Sequence, residues 1–163
     1  MQIKYFLDEY YSNSLNFIKQ FKGQIDKIIG DGIIVVFSTI FGEITSDEEA
    51  SNNAFSCCKE LVERFYDSKF EIKAAIGSGT LYFCKTGVEQ IYEEFTAIGY
   101  PYTVAHRLEN IAENNQILLM RNTPLSKRVE SSEEYLHLWE QEEVEINLKG
   151  IKSSQQPPPK AVA

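Results

Sequence analysis

The chain has 163 residues, 43% of them apolar and 25% charged, with a formal net charge of −8. That length suits one domain with a sizeable core, and no apolar run reaches membrane-spanning length. The acidic balance argues against nonspecific nucleic-acid binding, which needs a basic field, although a polyphosphate can bind wherever a few cations converge.

Residues 1–22 mix Lys, Asp and Asn with aromatics, so neither a signal peptide nor a transit segment is expected there. Cys57, Cys58 and Cys84 cannot all pair, and the adjacent two lack metal-ligand spacing. They read as reduced thiols of a cytoplasmic protein.

Ile3, Phe6, Leu7, Tyr10, Leu15, Ile18 and Phe21 recur at helical spacing and predict an amphipathic helix over 3–21. Apolar runs then flank Gly30-Asp31-Gly32, which predicts a tight β-hairpin over 24–37 with glycines supplying positive φ at its turn. Ser46-Asp-Glu-Glu49 is a capping box in front of a helix over 47–66. Residues 69–85 predict two strands hinged at Gly77-Ser-Gly79, and 91–98 another strand. Pro101 suits the first turn of a helix reaching about Glu113, followed by a strand at 117–120, a short helix at 123–129 and a strand at 143–149. Helices and strands interleave, so the class is a sheet with helices packed on it.

Two segments carry candidate chemistry. Asp31 at the tip of a rigid hairpin is either an ordinary turn residue or a carboxylate able to bind a divalent cation. Thr103 and Arg107 lie four apart on the helix predicted from Pro101, so both face one way, with Thr103 nearer the phosphate-friendly N-terminus. Arg107 there is either a surface ion-pair partner or a clamp for a charged oxygen. Asp26 reads as a solvated neighbour of the hairpin, His106 as a surface or interface residue, and His137 is given no chemistry.

Five motifs stand in order: Lys27-Ile-Ile-Gly-Asp-Gly32, Ala75-Ile-Gly-Ser-Gly-Thr80, Phe95-Thr-Ala-Ile-Gly99, Ala105-His-Arg-Leu-Glu109 and Leu148-Lys-Gly150. Each is weak alone, but in that order and spacing the chain resembles the class III nucleotidyl cyclase catalytic domain, a resemblance that covers residues 5 to about 151. The resemblance implies an α+β, ferredoxin-like cyclase fold with a mixed, mostly antiparallel sheet. It assigns residues 1–152 to the cyclase homology domain and leaves 153–163, with Pro157-Pro-Pro159, as a disordered or extended tail.

The activity so implied is conversion of ATP to cyclic AMP and pyrophosphate in signal transduction, a phosphorus–oxygen lyase reaction with Mg²⁺ or Mn²⁺. Asp31 would hold the metal, and Lys27 and Thr96 would read adenine, whose ring nitrogen accepts from Lys while its amine donates to a hydroxyl. Arg107 would stabilise charge on the α-phosphate, Thr103 would take the ribose-orienting position, and Lys149 would contact the triphosphate. The sites would form in a homodimer, or in a heterodimer with another cyclase domain.

Two departures qualify this. Thr103 stands where the family has asparagine, a loss of about a hundredfold by the general cost of one positioned hydrogen bond. The sequence also opens within the first helix, so the family's preceding strand and its second metal-binding aspartate are expected to be missing. The tail is not expected to fill that strand's slot, because prolines cannot donate to a central ladder. The alternative is therefore an impaired cyclase-homology module that binds nucleotide or pairs with a partner cyclase domain.

Overall fold

A computed structural model of the chain describes residues 4–133 and 135, together with the backbone of 2–3, 143–145 and 160–162. Two compact units divide it: Met1–Ile72 with Tyr82–Ile98, and Lys73–Leu81 with Gly99–Ala163.

In the first unit, α1 (Gln2–Gln20) packs against α2 (Asp47–Phe65) and against β1 (Gln24–Ile29). The chain leaves α1 through Lys22 at φ 61°, with the Gly23 N–H donating to the Ile18 carbonyl at 2.8 Å, a Schellman-type closure. Ile18 is buried, and the Tyr10 and Phe65 rings lie 5.7 Å apart, so the apolar stripes of the two helices form the local core. Ser46 caps α2 by accepting from the Glu49 N–H at 3.1 Å. The Glu49 carboxylate does not close the box on Ser46. It accepts from the N–H and hydroxyl of Thr45 and pairs with Lys22 at 2.7 Å.

The hairpin forms as expected, β1 pairing antiparallel with β2 (Gly32–Val36), but with a bulge between Ile25 and Lys27. Of the two turn glycines only Gly30 has positive φ, at 61°. A glycine at the first central position is the requirement of a type II′ turn, so Gly32 is not needed for its conformational freedom. A second hairpin pairs β4 (Tyr82–Val88) with β5 (Tyr92–Ile98) over their full lengths.

The strand expected from residue 69 begins only at Ala74. Ser68 accounts for the delay: its hydroxyl accepts from the Phe70 N–H at 3.0 Å and donates to the Phe70 carbonyl at 2.8 Å. Backbone groups committed to a side chain in this way are withdrawn from a ladder.

In the second unit, β3 (Ala74–Ile76) pairs parallel with β6 (Ile117–Met120). The sheet order is β3-β6-β8-β7, where β7 is Glu143–Glu145 and β8 is Lys160–Val162. Residues 160–162, at the end of the segment expected to be disordered or extended, thus run as a strand between β6 and β7. Helix α3 (Tyr100–Ile111) covers β3 and β6, sealing Val104 and Leu108 completely against Ala112 and Leu118. Helix α4 (Pro124–Ser131) starts from a reciprocal capping box between Thr123 and Ser126.

Candidate functional site

The candidate residues of the first unit sit on its two hairpins. Asp26 is the extra residue of the β1 bulge, since Ile25 pairs with Val35 and Lys27 with Ile34. A bulge places two consecutive residues against one partner and re-aims their side chains. Both Asp26 and Lys27 consequently reach β5. Lys27 Nζ meets the Glu94 carboxylate at 2.5 Å, and Asp26 meets the Thr96 hydroxyl at 3.1 Å and the Ala97 N–H at 2.9 Å. Glu94 and Thr96 are two apart on β5 and share a face of the pleat. The Lys27 ammonium and the Thr96 hydroxyl, the expected base-reading pair, are therefore brought to one face of one hairpin.

The electrostatics follow from these contacts. The Lys27 ammonium, with the Tyr92 hydroxyl at 2.8 Å, holds the Glu94 carboxyl below the usual carboxylate range. The same bond from Tyr92 to Glu94 raises the Tyr92 phenol. Thr96 is buried, with 4% of its surface exposed, whereas Lys27 and Glu94 are half-buried.

Asp31 is exposed at the hairpin tip, where the Tyr11 hydroxyl donates to the Gly30 carbonyl and fixes the turn. Among the described residues no group of three or more His, Cys, Asp or Glu side chains could hold a metal ion. Asp31 therefore fits a divalent cation only as a single protein ligand, with phosphate and water oxygens completing the shell. That ligand set is usual for Mg²⁺ on a nucleotide.

The second unit carries Thr103 and Arg107 one turn apart on α3. Thr103 is exposed and its hydroxyl donates to the Gly99 carbonyl at 3.4 Å. Arg107 is half-buried, and Gly99 gives the helix no side-chain cap. Lys149 and His137 lie outside the described residues.

Sequence reasoning missed two groups. Asp26 is not a solvated neighbour of the hairpin: it bonds to both Thr96 and Ala97. In a regular strand, residues 26 and 27 face opposite ways, so nothing in the spacing points to a bulge. Glu94 carried a readable signal, being an acid on the same strand face as Thr96.

The fold is that of the class III nucleotide cyclase catalytic domains. The guanylyl cyclase Cya2 superposes with a TM-score of 0.64 at 18% identity, over 96% of this chain and 76% of that one. The adenylyl cyclase CyaB from P. aeruginosa gives 0.61 at 18% identity, over 95% and 78%. The guanylate cyclase domain of RhGC from Catenaria anguillulae, in complex with GTP, gives 0.63 at 12% identity, over 95% and 78%. Comparison by sequence finds no match, either to a protein-family model or to a curated protein. No helix among the described residues is long and apolar enough to cross a membrane.

Proposed function

We propose that the chain is a cyclase domain of adenylate type, converting ATP to cyclic AMP and pyrophosphate in the cytoplasm. The observation that carries this reading is the placement of Lys27 and Thr96 on one face, held by Glu94 and Asp26. An ammonium only donates, which suits the N1 acceptor of adenine and not the N1–H of guanine. The Thr96 oxygen supplies the acceptor that the adenine amine needs.

In this reading the 3′-hydroxyl attacks the α-phosphorus in line, and pyrophosphate leaves. Arg107 stabilises the charge that develops on the α-phosphate oxygens, the largest kind of contribution in such chemistry. Thr103 orients the ribose, and Lys149 contacts the triphosphate. Mg²⁺ or Mn²⁺ bound by Asp31 would supply charge neutralisation on the phosphates. The β4–β5 hairpin exposes Val88, Ile91, Tyr92 and Phe95 at 60–83%, an apolar surface that supports docking of a second cyclase domain, in a homodimer or a heterodimer.

A second reading is favoured by one contact. The single donor of Thr103 points at the Gly99 carbonyl of the helix N-cap across a long 3.4 Å, away from any ligand, which suits a module that binds nucleotide or a partner cyclase domain but turns over poorly. Cyclic AMP formation with Mg²⁺ and with Mn²⁺ separates the two, comparing wild type with Asp31→Ala and Lys27→Glu. Activity that falls in both variants supports catalysis. A wild type no more active than Asp31→Ala at every enzyme concentration refutes it.

A further inference from the structure

A threonine hydroxyl is ambivalent, since it can donate its proton or accept one. Read that way, Thr96 alone gives no reason to prefer an amine over a carbonyl at position 6 of a purine. Its surroundings remove the ambivalence. The Asp26 Oδ2 lies 3.1 Å from the Thr96 Oγ1, and an ionised carboxylate has no proton to give, so Thr96 must be the donor. Another acceptor, the carbonyl of Ala97, is 3.5 Å away, too long to compete with a charge-assisted bond. With its proton committed, the hydroxyl has only lone pairs left to offer.

We infer that Asp26 is the specificity-determining positioning residue of the site: by taking the Thr96 proton it makes that hydroxyl an obligate acceptor. Such an acceptor selects a purine bearing an amine rather than a carbonyl at position 6. This rests on the proposal that Lys27 and Thr96 read the base. It adds a residue that touches no part of the nucleotide and acts through Thr96. The bulge in β1 is what makes the arrangement possible, because it turns Asp26 toward β5 beside Lys27. The Ala97 N–H donates to Oδ1 at 2.9 Å, and Thr96 Oγ1 lies nearer to Oδ2, at 3.1 Å, than to Oδ1, at 3.4 Å.

That backbone bond also makes a polarity reversal available without change of shape. In Asp26→Asn, the Ala97 N–H holds the amide oxygen where Oδ1 now stands, so the amide NH₂ occupies the place of Oδ2. It donates to Thr96 Oγ1 over the shorter 3.1 Å contact, and with the amide oxygen at 3.4 Å and already engaged by Ala97 the threonine proton is released toward the ligand. Thr96 thereby becomes a donor, complementary to a carbonyl.

The test measures binding of ATP and of ITP to the full chain by calorimetry with Mg²⁺ present. ITP carries a carbonyl at position 6 and lacks the 2-amino group that would complicate GTP. Wild type is expected to prefer ATP, and Asp26→Asn to shift the ATP-to-ITP affinity ratio toward ITP by about tenfold, the scale of one mispaired buried hydrogen bond. The shift should vanish on a Thr96→Val background, which has no hydroxyl to orient. An unchanged ratio in a folded Asp26→Asn protein that still binds both nucleotides overturns the role of Asp26 alone. Failure of wild type to bind either nucleotide refutes base reading itself, and this inference with it. Should Asp26→Asn not fold, the Thr96 hydroxyl proton is followed by NMR in the wild-type chain. Retention of its bond to Asp26 when ATP is added supports the inference, and transfer away from Asp26 overturns it.

Discussion

Replacing Gly77 by alanine tests how α3, which carries Thr103 and Arg107, is seated on its sheet. A Cβ built at Gly77 would stand 2.1 Å from the Pro101 carbonyl oxygen and 2.9 Å from its carbonyl carbon. An ordinary C···O contact is about 3.3 Å, so a gap of roughly 1 Å must open. Both obstacles are backbone atoms in the first turn of α3, and no rotamer change relieves them. The helix must lift from β3, where Val104 and Leu108 have no exposed surface to spare. Overpacking of this kind costs about 1–3 kcal/mol, which at this chain length lowers Tm by roughly 3–10 °C. Gly30→Ala is the control. It meets nothing within 4 Å but has a φ of 61°, so it carries only the conformational penalty of about 1 kcal/mol. Thermal unfolding followed by circular dichroism at one protein concentration checks both. A Gly77→Ala protein melting within about 1 °C of wild type would refute the close approach described for α3.

Thr103→Asn should raise cyclic AMP formation by up to about a hundredfold, since the amide offers two donors where the hydroxyl is engaged with Gly99; initial rates at saturating ATP measure it. Leu108→Ala should cost about 2–5 kcal/mol by leaving a cavity at a fully buried site, read from urea unfolding. Glu49 is lowered to about 2, chiefly by its bond to Lys22 and then by those from Thr45. A depressed folded-state pKa contributes stability that is full above the ordinary carboxylate value of 4.5 and is lost as pH falls toward 2. Glu49→Gln should therefore flatten the pH dependence of unfolding between those limits, and NMR titration of the Glu49 carboxyl reports the folded value directly.

Much of the architecture was legible because its signals are local. The 3.6-residue stripe of α1, the Ser46 cap of α2 and the proline in the first turn of α3 each report a single element, and all three helices form close to their expected bounds. The hairpin over Gly30-Asp31 was equally clear, since an apolar run on each side of a glycine turn leaves few alternatives. What failed was decided by neighbours that spacing cannot show. The strand expected at Phe70 is pre-empted by two bonds to Ser68. Residues 160–162 pair between β6 and β7 although the preceding prolines argue against sheet structure there.

The candidate site shows the same division with a functional consequence. The family resemblance names Lys27, Asp31, Thr96, Thr103 and Arg107, and spacing alone adds only that Thr103 and Arg107 share a helix face. It does not say which way a hydroxyl points its proton, and for purine recognition that direction is the chemistry. Here it is set by an aspartate one residue from the lysine, displaced onto the working side by a bulge that no period reveals. A chain with the same five residues and a regular β1 strand would turn residue 26 to the opposite face. Thr96 could then donate or accept, and discrimination at position 6 would fall to Lys27 alone. On the proposed reading of the site, the choice of nucleotide is accordingly a property of the paired side chains, Asp26 with Thr96 and Glu94 with Lys27.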